Sequence, residues 1–315
     1  MKKIIKIKSG NSHTMKITWQ MTTNCTYACE YCPPHFRTGK HHNIDLDIYK
    51  NFFSQIKQPI LLNLTGGEVT THPQFIDILK MIKDLDIKIK VDSNNVRTPR
   101  FYKEVGNLVD VWCLTMHPSQ HKFDLEKIKV LTDQSFVIVY IMMDPKHWDL
   151  AVSWFEQLKS LENIKIILIK PVSNWAGADY FTKWTPEQLE FLNTPPRWQF
   201  TEKRHNELTV SHSWLKDTDT IAIHDDGSQS VLDPDQLMKN DDHNFYGWRC
   251  YSGKENLIID ALGNVRWSNC GMIDLGNITN INIDNLQESV ICDKFRCDCG
   301  ADIRADKHIE NTKEI

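Results

Sequence analysis

From about Thr14 to Pro171, short apolar runs alternate with stretches that repeat their apolar residues at helical spacing. No other feature limits the fold of this chain as much. The segments 15–21, 60–65, 87–92, 109–115, 136–142 and 165–170 have strand length and are rich in Ile, Val and aromatic residues. Between them, Phe75, Ile78, Leu79 and Ile82 fall at i, i+3, i+4 and i+7, which is one face of a helix. Leu46, Tyr49, Phe53 and Ile56 form a similar face before the second strand, and 123–131 and 148–161 fill later gaps. Six strand–helix units imply a parallel sheet with right-handed crossovers. Six are too few for a closed eight-fold barrel. The expected class is therefore α/β, an open partial (β/α)6 barrel. Such sheets bind ligands at the C-terminal ends of their strands, so the informative residues should follow each strand.

The pattern divides the chain into a core over 1–173, a connecting region over 174–247 and a small Cys-rich α+β module over 248–315. The opening decapeptide alternates Lys with Ile and reads as an edge strand or frayed tail. It lacks the uninterrupted apolar core of a signal peptide. The connecting region carries Pro195-Pro196 and several Trp and His residues, with a short helix expected near 186–192. In the last module, 257–259 and 265–267 flank Leu262-Gly263-Asn264, a hairpin pattern.

Composition excludes several classes. With 41% hydrophobic and 25% charged residues over 315, the chain is that of an ordinary globular protein. No apolar run approaches the roughly 20 residues of a membrane helix, so the expectation is a cytoplasmic protein without a membrane partner. The formal net charge of −4 argues against a nucleic-acid partner held by its backbone.

Nine cysteines require an explanation, and an odd count in such a chain argues against a disulfide framework. They also cluster. Cys25, Cys29 and Cys32 lie directly after the first strand, and Cys250, Cys270, Cys292, Cys297 and Cys299 lie in the last module. Cys113 stands alone in an apolar run and reads as a small buried hydrophobe. Three thiolates in one tight loop suit the irons of a [4Fe–4S] cluster, which takes four ligands, so one iron stays open for chemistry. A zinc site or a redox thiol group is the alternative.

At this point the spacing C-x₃-C-x₂-C after a first strand resembles the radical S-adenosylmethionine superfamily, with Tyr31 matching its aromatic residue before the third cysteine. The resemblance covers roughly Lys16 to Pro171 and implies a partial (β/α)6 barrel. It also implies S-adenosylmethionine as cofactor and an external electron donor such as flavodoxin or ferredoxin. Gly66-Gly67-Glu68 matches the motif that, by resemblance, holds the amino group of the methionine moiety. Asp92-Ser93-Asn94 resembles the polar residues after the third strand, and Thr115 falls where a ribose contact is common. Turn chemistry alone would also place Ser93 and Asn94 there. His117 precedes a proline and reads as structural.

The five later cysteines are similar to a twitch or SPASM auxiliary module, holding one further [4Fe–4S] cluster on four of them. One of Cys292, Cys297 and Cys299 is then spare, and a structural zinc is the alternative. Gly263 stands two positions further from Cys270 than the SPASM pattern has it. His41-His42, His205, His212, His224 and His243 read as surface or loop residues, the tryptophans from Trp175 to Trp248 as packing, and Asp225-Asp226 and Asp241-Asp242 as solvated turns. The expected function is radical cleavage of S-adenosylmethionine with hydrogen abstraction from a peptide or small molecule, the auxiliary cluster aiding oxidation or bond formation. An electron-carrying metal protein or an RNA-modifying enzyme are the alternatives.

Overall fold

Strands and helices alternate along the chain of the computed structural model, which describes residues 2–10, 14–37, 39–120, 123–171, 183–193, 197–199, 220–271, 273–283, 288–297 and 299–310. The first half runs β1 (Ile4–Lys8), β2 (Met15–Thr22), α1 (Leu46–Ser54), β3 (Ile60–Gly66), α2 (Phe75–Asp84), β4 (Lys88–Ser93), α3 (Pro99–Val105), β5 (Val111–Met116), α4 (Leu125–Thr132), β6 (Phe136–Met142), α5 (Trp148–Leu158) and β7 (Ile164–Ile169). The second half runs α6 (Pro186–Leu192), β8 (Arg197–Gln199), β9 (Ile221–His224), β10 (Gln229–Val231), α7 (Pro234–Lys239), β11 (Trp248–Cys250), α8 (Ser252–Glu255), β12 (Asn256–Ile259), β13 (Asn264–Trp267), β14 (Ile273–Asn277), β15 (Val290–Ile291), α9 (Gly300–Arg304) and β16 (Lys307–Ile309). Contacts divide the chain into two units. One is Trp19–Leu46 with Leu62–Ser211, and the other is Met1–Thr18, Asp47–Leu61 and His212–Ile315.

In the first of these units, β4, β5, β6 and β7 are parallel neighbours, as the strand–helix alternation requires, and β8 closes that edge antiparallel to β7. The register sets Asp92 beside Cys113 and Thr115 beside Tyr140. Alternation along β4 buries Ile89 and Val91 on one face and turns Lys90 and Asp92 to the other. The helices follow their sequence signals. The apolar face of α2 is buried at Phe75, Ile78, Leu79 and Ile82, and Asp124 caps α4. α3 was not expected from periodicity. Thr98 caps it and Pro99 opens it, the local signature of a helix start. The turn after α1 closes with three-residue bonds, Gln55 N to Phe52 O and Ile56 N to Phe53 O, so the helix ends before Ile56. α6 lies over Pro186–Leu192, as expected.

In the second unit, an antiparallel sheet has the order β10-β9-β1-β16-β11-β15. β1 pairs on both sides, with β9 and with β16, which corrects the edge-strand expectation for the N-terminus. Lys–Ile alternation specifies one apolar face; it carries no information on how many neighbours hydrogen-bond to the strand. Ile7 packs there with Ala222, Leu232, Phe245 and Ile303. The expected hairpin forms between β12 and β13, with Ile259 opposite Val265 and Gly263 at φ +81° in the turn. No helix among the described residues is long and apolar enough to cross a membrane. Pro195-Pro196, Trp175, His205 and His212 lie outside the described residues.

Candidate functional site

A cavity of about 540 Å³ opens at the C-terminal ends of the parallel strands, and Cys25, Cys29 and Cys32 line it together. The loop that carries them is tied to three strand ends. Gly67 N donates to Thr22 O at 2.8 Å and Glu68 N to Asn24 O at 2.7 Å, which ties the entry of the loop to the end of β3. Asn94, after β4, donates through Nδ2 to Cys25 Sγ at 3.6 Å. Beyond β5, Gln120 Oε1 accepts from Ala28 N at 3.1 Å, and His117 Nδ1 lies 2.8 Å from the Tyr31 hydroxyl. Tyr27 N donates to Cys25 Sγ at 3.4 Å.

The two glycines owe their presence to this clamp. A Cβ on Gly66 would meet Thr22 O at 2.3 Å, and one on Gly67 would meet Asn24 O at 2.1 Å. Gly66 also has φ +134°, which disfavours any side chain. Both glycines line the cavity as well, so they serve the loop and the cavity at once.

Glu68 has a different place from its neighbours. Its side chain is fully buried and does not line the cavity. The carboxylate accepts from Thr70 N at 3.1 Å, Thr70 Oγ1 at 2.5 Å, Ser93 Oγ at 2.9 Å and Asn94 N at 2.6 Å. It thereby links the end of β3 to the end of β4. Burial pushes its pKa up, against the pull of these donors. Tyr31, within the loop, is buried against Cys29 and stacks on His117; it too is absent from the lining. Ser93, Asn94 and Thr115 do line the cavity, and so does His117, which sequence reasoning had set aside as structural.

The thiols are held in their protonated form. Burial raises all three, Cys29 to about 12, and the neighbouring thiols add to this at Cys29 and Cys32. Loading metal on them would therefore release protons. No three His, Cys, Asp or Glu side chains among the described residues converge on a point that one ion could occupy. An iron–sulfur cluster takes each thiolate at a separate iron and does not need such convergence. Three thiols on one wall of a cavity this size suit that group.

Sequence reasoning missed the floor of the cavity. Lys90, Tyr140 and Gln20 line it with Asp92. Lys90 Nζ stands 3.5 Å from Asp92 Oδ1, and Asn63 Nδ2 donates to Asp92 Oδ2 at 2.9 Å. Burial pulls the Lys90 ammonium down, but Asp92 and its other neighbours outweigh this and leave its pKa raised. Cys113 is buried as expected, yet its surroundings are polar: burial pushes its thiol up to about 12 beside Lys90 and Asp92. The available signal was the pair of charges alternating with Ile89 and Val91.

In the other unit, Cys250, Cys270, Cys292 and Cys297 line a small cavity of about 20 Å³. Cys299 does not; it sits at the N-cap of α9. Asp302, on α9, accepts from Cys270 N at 2.8 Å and from Asn269 N at 3.3 Å, which fixes the Cys270 turn. Lys307 is buried beside these thiols, its ammonium 4.6 Å from the Phe245 ring and donating to Ile303 O at 3.1 Å. Burial raises the pKa values of Cys292 and Cys297, the latter to about 12. His243 lies in a loop, as expected, but that loop is buried: it is 2% exposed and its carbonyl accepts from Cys297 N. Asp226 and Asp241 do lie in exposed turns.

The family described as the Radical SAM superfamily matches residues 19–164. A curated relative from Selenomonas ruminantium, named S-adenosylmethionine-dependent nucleotide dehydratase, is 32% identical over 82 residues, covering 25% of this chain and 29% of that protein. Among solved structures, Streptococcus suis SuiB aligns with a TM-score of 0.53 at 13% identity, covering 86% of this chain and 65% of that one. The structure of anSMEcpe with bound AdoMet and Cp18Cys peptide aligns at 0.50 and 12% identity, covering 86% and 79%. The two structural likenesses carry the fold, an α/β arrangement with a parallel sheet. The chain spans less than two thirds of SuiB and under a third of the dehydratase.

Proposed function

The chain belongs, through residues 19–164, to the radical SAM superfamily, and on that premise we propose that it cleaves S-adenosylmethionine reductively to open a C–H bond of a peptide or small-molecule substrate. One observation supports this above the rest: Cys25, Cys29 and Cys32 share the wall of one 540 Å³ cavity with Gly66, Gly67 and Asn94 at the strand ends. The three thiols would hold a [4Fe–4S] cluster. When bound, the cluster supplies the electron that splits S-adenosylmethionine into methionine and a 5′-deoxyadenosyl radical, the species that takes hydrogen from the substrate. The protein's part is to bind and orient. Gly66 and Gly67 let the entry of the cysteine loop pack against their turn, Ser93, Asn94 and Thr115 offer polar contacts, and the loop clamp fixes the thiols. Glu68 and Tyr31 act by holding the groups that line the cavity. Lys90, Asp92 and Tyr140 supply a polar floor where a substrate can be seated.

The second cysteine set is read as an auxiliary [4Fe–4S] centre on Cys250, Cys270, Cys292 and Cys297, with Cys299 spare. Support comes from the cavity that the first four share and from the separate N-cap position of Cys299. Such a centre would take an electron from a substrate radical during oxidation or bond formation. A zinc centre is the alternative, but no three of these thiols converge on a point that one ion could occupy. The electron donor is read as a flavodoxin or ferredoxin.

The test is direct. Anaerobically reconstituted protein, reduced with dithionite in the presence of S-adenosylmethionine, is expected to yield 5′-deoxyadenosine, and Cys29→Ser to yield none. A wild-type protein with full iron content that forms no 5′-deoxyadenosine overturns the reading.

A further inference from the structure

Asn94 is 6% exposed and lines the cavity, and its side-chain amide is only half satisfied. Nδ2 donates to Cys25 Sγ at 3.6 Å. Oδ1 is buried and has no hydrogen-bond partner. A buried acceptor left without a donor is costly, and native structures keep one where a ligand or water arrives to satisfy it. The residue is also held from behind. Its backbone N–H donates to Glu68 Oε2 at 2.6 Å, and Ser93 Oγ donates to Glu68 Oε1 at 2.9 Å. Glu68 is fully buried and clamped by Thr70, so it cannot turn into the cavity itself.

We propose that Asn94 has two ends with separate tasks. Nδ2 donates to the Cys25 thiolate that holds the cluster, Oδ1 accepts from an N–H or O–H of bound S-adenosylmethionine, and Glu68 is the positioning residue that fixes this orientation. The proposal rests on reading Cys25 as a cluster ligand. Hydrogen bonds to cluster sulfurs set the reduction potential, because the donor stabilises the reduced, more negative form more strongly. The Nδ2 contact therefore makes the cluster easier to reduce. The Oδ1 contact belongs to cofactor affinity. One side chain thus joins the group that receives the electron to the molecule that is cleaved.

The two ends separate by mutation. Asn94→Asp loses the donor and keeps acceptor oxygens, whereas Asn94→Leu loses both. In the reconstituted full chain, both variants are expected to shift the cluster's midpoint potential to more negative values, measured by redox titration followed by electron paramagnetic resonance. Asn94→Leu is expected to weaken binding of labelled S-adenosylmethionine in equilibrium dialysis about tenfold, the usual scale for one lost hydrogen bond. Asn94→Asp should bind it as tightly as wild type or more so. Glu68→Gln should shift the potential in the same direction as Asn94→Leu, and the double variant no further.

An unchanged potential in either Asn94 variant with full iron content overturns the thiolate contact. Unchanged cofactor binding in Asn94→Leu overturns the Oδ1 contact, and an additive double variant overturns the role of Glu68. Should the variants lose iron, the wild type still decides. Asparagine isotopically labelled at the side-chain amide nitrogen is expected to show a hyperfine coupling to the reduced cluster, and absence of any coupling overturns the contact. A wild type that takes up no iron would fail the cluster reading instead, which iron and sulfide analysis reports separately.

Discussion

Glu68 shows how a residue can serve a cavity without lining it. The motif in the sequence implied a carboxylate beside the cofactor, but the folded chain turns it into the wall, where four protein donors take its oxygens. Burial raises its pKa all the same. A raised folded-state value means that the folded chain holds the proton more tightly than the unfolded one. Glu68 therefore contributes stability in full below its unfolded pKa and loses that contribution as pH rises through the folded value. The window begins at the ordinary glutamate range and runs upward. Urea unfolding of the iron-free chain across this window is expected to show stability falling with pH in the wild type and falling less in Glu68→Gln. Identical slopes in the two proteins would count against it. At this scale the meeting of the three core cysteines at one cavity was legible, because their spacing keeps three thiols in one loop after a strand. Lys90 and Tyr140 were not, because alternation along a strand separates its faces without saying which face lines a cavity.

The cysteine loop is an element defined by what it leans on. Its entry runs so close to the Gly66-Gly67 turn that no side chain fits between them. In Gly67→Ala the new methyl would contact the backbone oxygen of Asn24, which cannot move aside as a flexible side chain could. The expected loss is about 1–3 kcal/mol of stability by denaturant unfolding, the range for overpacking, together with reduced iron retention on Cys25, Cys29 and Cys32. Full iron content in a destabilised Gly67→Ala chain would show that the loop does not depend on the turn. Gly253 is a comparable case in the other unit, since its Cβ would fall on the Trp267 ring. Gly253→Ala is expected to cost a similar amount and to alter the near-ultraviolet signal of that tryptophan. Most strands and helices were legible because their apolar residues repeat at two or at about 3.6. The boundaries that moved, at Ile56 and at 109–110, lie where turn bonds replace regular ladders. Helix α3 was missed because only seven residues long it shows little periodicity, although Thr98-Pro99 announced its start.

At the scale of the whole molecule, the cysteines fall into two sets with different completeness. The first offers three thiols to a large cavity, which leaves room for an exchangeable ligand. The second offers four thiols to a small cavity and has a fifth cysteine close by, at a helix cap. An incomplete set suits chemistry and a complete set suits electron transfer or structural support. The count of five was legible in the sequence, but which four line one cavity was not. Spacing alone treats Cys297 and Cys299 alike, and only the fold turns one toward the other thiols and seats the other at the start of α9. Metal analysis of serine variants follows from this division. The wild type is expected to hold about eight irons per chain if both sets carry four-iron clusters. Cys299→Ser should keep that content, and Cys250→Ser should lose about half of it while still forming 5′-deoxyadenosine from S-adenosylmethionine. Four irons with one zinc in the wild type would instead identify the second set as a zinc site. Loss of metal in Cys299→Ser but not in Cys297→Ser would exchange the assignments of those two residues.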